Sequence, residues 1–248
     1  MRVVVTGGLG FVGQNFAHHL RAHVHGLELV AVDWGLHGPD GAVPYDRVIH
    51  DDFVSVPALS ACTGADAVVH LAAQSGVPQS LADPLATFDQ NTWRGQLLLE
   101  HLRRASPETR LVFASSSAAG GEGGPRSPYG ASKLATEALM AAYRASYGMR
   151  CAALRFANVY GPRSMRQGGL IPAFCRGLLR RAPLRVNGDG WQTRDYVHVE
   201  DIAAGIAAAI RREASGTFQL GTGVGTSVME IVDIFRGLEG KHAPVIEH

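Results

Sequence analysis

The sequence predicts an α/β fold, a doubly wound parallel sheet, on three observations. Short apolar runs recur without the polar alternation of a half-exposed sheet, which marks strands covered on both faces. Stretches with leucine and alanine three and four residues apart separate them, the period of helices packed along one side. A glycine-rich turn follows the first run directly, with Gly7, Gly10 and Gly13. Strand and helix in alternation build a parallel sheet through right-handed crossovers.

Taken in order, Val-Val-Val-Thr at 3–6 is β-branched and stops at glycine, so it opens the sheet. Further strands are expected at 29–33, 48–50, 67–71, 111–115 and 151–156, each a short, mostly apolar run. Helices are expected at 11–23, 56–62, 84–105 and 129–147. After Gly161 the texture changes: residues 161–195 are rich in Arg, Gly and Pro, with one helical run at 170–181, a short extended stretch at 184–186 and the turn Asn187-Gly-Asp-Gly190. Residues 196–220 return to α/β texture. This predicts a larger domain of 1–160 plus 196–222, interleaved with a small C-terminal lobe of 161–195 plus 223–248.

Composition narrows the function. The 248 residues are 46% apolar and 18% charged, with a formal net charge of +1. No basic face is offered to a phosphodiester backbone, so nucleic acid is excluded as the expected partner. The cysteines, Cys62, Cys151 and Cys175, are odd in number and form no CxxC pair. Neither a disulfide framework nor a metal site is expected, and a cytoplasmic location fits. No apolar run reaches the ~18 residues of a membrane span, and none is expected. Two counts stand out: glycine numbers 30, and of 23 basic residues only Lys133 and Lys241 are lysine.

The turn Thr6-Gly-Gly-Leu-Gly-Phe-Val-Gly13 leads from strand to helix. Gly7, Gly10 and Gly13 permit a tight turn, close approach of a pyrophosphate and close helix packing, while the helix start at Phe11 and Val12 offers unpaired N–H groups. The next strand ends in Asp33, 20 residues after Gly13, where a carboxylate accepts hydrogen bonds from both adenosine ribose hydroxyls and repels a 2′-phosphate. Together they mark a Rossmann-type domain that prefers NAD. Asp52 and Phe53 follow the third strand, one to meet the adenine amino group and the other as an aromatic edge, although Phe53 fits a core position equally well. Leu71, Ala72 and Ala73 end the fourth strand with small side chains that admit a ribose.

Tyr129 and Lys133 stand at i and i+4 of a helix, which puts phenol and ammonium on one face. For the tyrosine to act as a base near neutrality its pKa must fall by ~3 units, ~4 kcal/mol of phenolate stabilisation. Lysine and a positively charged nicotinamide are suitable sources. The fifth strand ends in Ser115-Ser-Ser117, and one hydroxyl there can hold a substrate oxygen as it alternates between alcohol and ketone.

With these residues assembled, the chain resembles the extended short-chain dehydrogenase/reductases, in particular the NAD-dependent epimerase/dehydratase family. The match runs in order from residue 1 to about 245 through the glycine turn, Asp33, His70-Leu-Ala-Ala73, Asn91, the serines and Tyr129-xxx-Lys133. It continues through Leu154-Arg-Phe-Ala-Asn-Val-Tyr-Gly-Pro162 and Gly188-Asp-Gly-Trp-Gln-Thr-Arg-Asp-Tyr-Val-His-Val-Glu-Asp201. The resemblance implies Tyr129 as base, Lys133 on the nicotinamide ribose, Ser116 as the catalytic hydroxyl with Ser117 in reserve, and Asn91 and Phe156 beside the cofactor. It implies that Asn158 and Arg194 bind the diphosphate of a nucleotide sugar; without it, Arg194 serves equally as an ion-pair partner of Asp195 or Asp201. Most members are longer, so the substrate lobe is expected to be shorter than usual.

The implied activity is a nucleotide-sugar 4-epimerase working through a transient 4-keto sugar, in a homodimer. A dehydratase, decarboxylase or reductase could use the same serine, tyrosine and lysine. A 4,6-dehydratase is disfavoured because Ser117-Ala118 stand where such enzymes resemble each other in an Asp-Glu pair, leaving Glu122 as the nearest acid in sequence. A non-catalytic NAD-binding module is the third reading.

Overall fold

The computed structural model describes residues 1–35, 42–121, 123–239 and 246–247; Glu122 and Lys241 lie outside them. Two compact units form, residues Met1–Phe156 with Glu200–Leu220, and Ala157–Val199 with Gly221–His248.

The first unit holds β1 (Arg2–Thr6), α1 (Phe11–His23), β2 (Glu28–Asp33), β3 (Arg47–His50), α2 (Val56–Cys62), β4 (Ala67–His70), α3 (Val77–Ala82), α4 (Pro84–Phe88), α5 (Arg94–Ala105), β5 (Arg110–Ser116), α6 (Pro128–Tyr147) and β6 (Cys151–Phe156). The chain then supplies β7 (Asn158–Tyr160), α7 (Leu170–Leu179), β8 (Leu184–Arg185) and β9 (Thr193–His198) to the second unit. Helix α8 (Val199–Arg211) and β10 (Gly216–Leu220) return to the first, and β11 (Gly225–Ser227), α9 (Val228–Glu239) and β12 (Ile246–Glu247) complete the second.

Seven parallel strands make the main sheet in the order β3-β2-β1-β4-β5-β6-β10. The chain moves outward from β1 to β3, then restarts at β4 on the other side of β1. Ligands of doubly wound sheets bind where the order reverses, outside the carboxyl ends of the strands. The central strands are apolar because both faces are covered: Val3, Val4, Val5, Val68 and Val69 are wholly buried. Leu98, Leu99, Leu102, Phe113 and Met140 pack on one side of them.

Two expectations of order need correction. The helix expected at 84–105 is interrupted by a one-turn π-helix at Asp89–Trp93, and a separate helix, α3, precedes it. Thr92 Oγ1 donates to the Ser132 carbonyl at 3.1 Å and Thr136 Oγ1 to the Asn91 carbonyl at 3.0 Å. These contacts with α6 hold the wider turn, a local pattern often found at functional sites. The unit boundaries also fall earlier and later than 160 and 196, because β7 pairs with β9, Asn158 opposite Tyr196 and Tyr160 opposite His198. Residues 157–160 and 196–199 thereby join the second unit, which has its own core of Phe174, Leu184, Val186, Val232 and Phe235.

Candidate active site

The glycine turn closes the end of β1. Gly7 has φ +70°, and a Cβ on it would stand 2.7 Å from the Ala72 nitrogen, so the turn and the end of β4 touch backbone to backbone. A Cβ on Gly13 would meet the Gly7 and Gly8 carbonyls at 2.6 Å. Helix α1 can therefore lie this close only with glycine there. Gly10 caps α1 without a side-chain hydrogen bond, and its own N–H goes to the Gly7 carbonyl at 3.1 Å. The N–H groups of Phe11, Val12 and Gly13 are left as the orphan donors of the helix start. A pyrophosphate suits that donor set, by charge and by hydrogen bonding.

Asp33 lies at the end of β2, where its two oxygens accept from Leu9 N–H at 3.0 Å and Gly35 N–H at 2.9 Å. It thus holds the glycine turn and retains carboxylate lone pairs for further donors. Tyr45, which sequence reasoning missed, donates to the Gly13 carbonyl at 3.0 Å. Its burial, with Asp33 adding to the effect, pushes the phenol pKa up and keeps it neutral. Nothing near Tyr45 in sequence signals this role.

Asp52 is ion-paired with Arg94 and accepts from Val54 N–H at 3.1 Å. Phe53 is a core residue, 6% exposed, with its ring 4.7 Å from that of His70. Of the two readings the sequence left for Phe53, the core position is the one seen. His70 is buried, its Nδ1 paired with Thr6 Oγ1 at 2.7 Å, and Nε2 has no hydrogen-bond partner among the described residues. Burial, with the Lys133 charge adding to it, pulls the His70 pKa down to about 3. Leu71, Ala72 and Ala73 are partly buried. Asn91 is 1% exposed: its Nδ2 donates to the Gln74 carbonyl and to Ser132 Oγ, both at 3.0 Å, and its Oδ1 accepts from Gln74 N–H at 2.8 Å. It fastens the loop after β4 to the N-terminal part of α6.

Tyr129 and Lys133 share one face of α6, which starts with Ser127 accepting from Gly130 N–H at 3.1 Å and Pro128 at the first position. A Cβ on Gly130 would come 2.2 Å from the Ala118 carbonyl, so glycine lets α6 close on the turn after β5. The Lys133 side chain is buried, donates to the Ala114 carbonyl at 2.8 Å and lies 4.7 Å over the Phe113 ring. Burial brings its pKa down to about 7, against an upward pull from Glu137. The three serines separate by side: Ser115 is buried and bonded to Glu137, Ser117 is exposed, and Ser116 lies beside the Tyr129 phenol. Phe156, 9% exposed, pairs with Ser116 across β5 and β6.

Burial pushes the Tyr129 pKa up, with the Ser116 hydroxyl opposing it. The chain's own groups therefore leave the phenol protonated, against the direction a base requires.

In the second unit, Asn158 and Arg194 come to adjoining strands. Asn158 Nδ2 donates to the Asp195 carbonyl at 3.3 Å. Asp195 does not pair with Arg194; it accepts from Thr222 N–H, Thr222 Oγ1 and Gly223 N–H at 2.7–3.0 Å. Burial raises its pKa, but those donors outweigh the effect and hold it below the usual carboxylate range. Arg194 is exposed, donates to the Thr193 carbonyl at 2.8 Å, and makes no ion pair among the described residues.

A doubly wound sheet whose switch point carries a dinucleotide-type glycine turn, with serine, tyrosine and lysine converging beside it, defines a short-chain dehydrogenase/reductase class of protein. The family model described as the NAD dependent epimerase/dehydratase family matches residues 3–221. The chain belongs to this family of enzymes, whose cofactor is NAD. It is 33% identical over 277 residues to a UDP-glucose 4-epimerase of Azospirillum brasilense, covering 98% of this chain and 79% of that protein. A UDP-glucose 4-epimerase from Thermotoga maritima, solved with UDP-glucose, superposes with a TM-score of 0.89 at 27% identity, over 100% of this chain and 85% of that one. An NAD-dependent NDP-hexosamine 5,6-dehydratase is equally similar in fold, with a TM-score of 0.87 at 30% identity over 99% of this chain and 83% of that one. Among the described residues no helix is long and apolar enough to cross a membrane, and no group of three or more His, Cys, Asp or Glu side chains could hold a metal ion.

Proposed function

We propose that the chain is an NAD-dependent nucleotide-sugar 4-epimerase. The observation that carries this is the grouping of Ser116, Tyr129 and Lys133, with Lys133 anchored on the Ala114 carbonyl at 2.8 Å and Ser116 beside the phenol. The N–H groups of Phe11, Val12 and Gly13 hold the pyrophosphate of NAD, Asp33 its adenosine ribose, Lys133 its nicotinamide ribose, and Leu71, Ala72, Ala73, Asn91 and Phe156 line its path. When bound, NAD supplies hydride uptake and return at the sugar C4, chemistry that side chains lack. Tyr129 Oη takes the proton of the C4 hydroxyl and later gives it back. Ser116 Oγ holds the same oxygen through both states, and Lys133 stabilises the phenolate by its charge. Arg194 and Asn158 bind the diphosphate, since an unpaired guanidinium fork matches that group.

The epimerase reading is preferred to a dehydratase because Ser117 and Ala118, which follow Ser116, carry no acid or base for chemistry at C5 and C6. Incubation with a panel of nucleoside-diphosphate sugars in D2O, followed by NMR, tests it: a C4 epimer without deuterium at C5 is expected. Deuterium at C5 would establish the dehydratase reading, and no turnover of any sugar would remove both. The homodimer is proposed on the exposed apolar side chains Leu85, Phe88, Trp93 and Leu97 along the segment 84–105. Sedimentation at the mass of a single chain would overturn it.

A further inference from the structure

Glu137 has no place in the reaction described above, yet it is the most elaborately bound carboxylate near the site. It stands one helical turn beyond Lys133 on α6 and is 5% exposed. Arg155 of β6 grips it with a guanidinium fork, Nε to Oε1 at 2.9 Å and Nη2 to Oε2 at 2.7 Å. Ser115 Oγ of β5 donates to the same Oε1. Arg155 in turn lies under the turn that follows Ser116: a Cβ on Gly120 would stand 2.5 Å from its Nη1. One carboxylate therefore ties α6, β5, β6 and the 117–120 turn together.

Apolar side chains of similar volume commonly replace a buried ion pair without loss of stability, so stability alone does not account for this pair. The charge it provides bears on Lys133. Among the described residues, the titratable groups that interact with that ammonium are Tyr129 and Glu137 on its own helix and His70 from β4, with Arg155 of β6 paired to Glu137. Tyr129 is held protonated and His70 neutral, and Arg155 is occupied by Glu137. Glu137 is left as the anion acting on a lysine that burial pushes toward the neutral form.

We propose that Glu137, locked in place by Arg155 and Ser115, is a positioning residue that keeps the Lys133 side chain in its ammonium form and fixes the Ser116 strand end against α6. The proposal rests on the reading of Tyr129 and Lys133 as catalytic, but it can be tested without substrate or cofactor. The chain contains two lysines, so lysine labelled with ¹³C at Cε gives two NMR signals, assigned with Lys241→Arg. In the unaltered chain the Lys133 signal is expected to inflect well below the ordinary lysine range, near pH 7, because the ammonium is buried. Glu137→Gln keeps the shape and removes the charge, and is expected to move that inflection down by about one pH unit or more, as loss of a nearby opposite charge does. Glu137→Asp retains the charge and is expected to restore most of the shift.

An unmoved inflection in a folded Glu137→Gln chain would overturn the proposal and leave Glu137 a structural residue. Should that variant not fold, Arg155→Gln frees the carboxylate from its partner and is expected to move the Lys133 inflection up; no movement, or movement down, overturns the proposal equally. A shifted Lys133 in a chain that turns over no sugar would retain this inference and remove the epimerase reading, so the two fail separately.

Discussion

The Tyr129 face of α6 and the Arg194 edge of β9 are both assigned to the same reaction, and they are built in opposite ways. Around Tyr129 the side chains are buried and interlocked: Asn91 is 1% exposed, Lys133 and Ser132 3% each, and every one of them has a hydrogen-bond partner from another element. Arg194 and Asn158 are exposed, and among the described residues their side chains donate hydrogen bonds to backbone carbonyls. The difference follows from the task. Moving a proton at neutral pH needs ionisation equilibria displaced from their ordinary values, and displacement needs burial and fixed neighbours. Holding a diphosphate needs only an available fork of donors, which a guanidinium provides at any pH that matters.

The largest effect expected from this contrast is at the buried face. Tyr129→Phe removes one hydroxyl, and turnover of the accepted nucleotide sugar should fall by about 10²- to 10⁴-fold. Folding and NAD binding should persist, measured by circular dichroism and by calorimetric titration with NAD. A variant within tenfold of the unaltered rate would show that the phenol is not the base. At the exposed edge, Arg194→Ala should raise KM for the nucleotide sugar roughly ten- to hundredfold, the loss of charge-assisted hydrogen bonds worth about 1.5–3 kcal/mol. Its Tm should be unchanged, because among the described residues its side chain hydrogen-bonds only the adjacent Thr193 carbonyl. A drop in Tm with KM unaltered would reverse the comparison and make Arg194 a structural residue.

What the sequence revealed of each region tracks how local the determining contacts are. Strands β2, β4 and β6 were legible because burial of residues 29–32, 67–70 and 151–154 makes their runs mostly apolar. The glycine turn was legible because close backbone approach excludes every other residue, and Gly13 with two carbonyls 2.6 Å from its missing Cβ is such a place. Tyr129 and Lys133 were singled out by helical spacing together with the glycine turn and the family resemblance, spacing alone being common to many helices. The choice among Ser115, Ser116 and Ser117 was not available from spacing, since it depends on which side of β5 meets Glu137. The same holds for Tyr45, drawn to Gly13 from 32 residues away, and for Arg94, whose pairing with Asp52 spans 42. The break in the helix expected at 84–105 was hidden for the same reason, because its cause lies on α6.

The smallest expected effect isolates the electrostatics of the buried face from that of the exposed edge. His70 ordinarily titrates at 6.5, and in the folded chain burial pulls it down to about 3. Below pH 6.5 the unfolded chain takes up a proton that the folded chain refuses, so the stability this residue contributes is complete above 6.5 and declines as the pH falls toward 3. Between pH 7 and pH 5.5 the loss is on the order of 1 kcal/mol. Asp195, beside Arg194, is shifted in the same direction but over a lower pH range. Its carboxyl is held below its ordinary 3.8, so its contribution is complete above that value and is lost only in stronger acid. The interval from 7 to 5.5 therefore reads the histidine without the aspartate. Urea unfolding at both pH values should show His70→Asn, which offers Thr6 a partner but does not titrate, losing on the order of 1 kcal/mol less than the unaltered chain over that interval. Equal losses would mean that His70 is protonated in the fold. The buried face would then tolerate a second cation next to Lys133, and the contrast with the exposed edge would not hold.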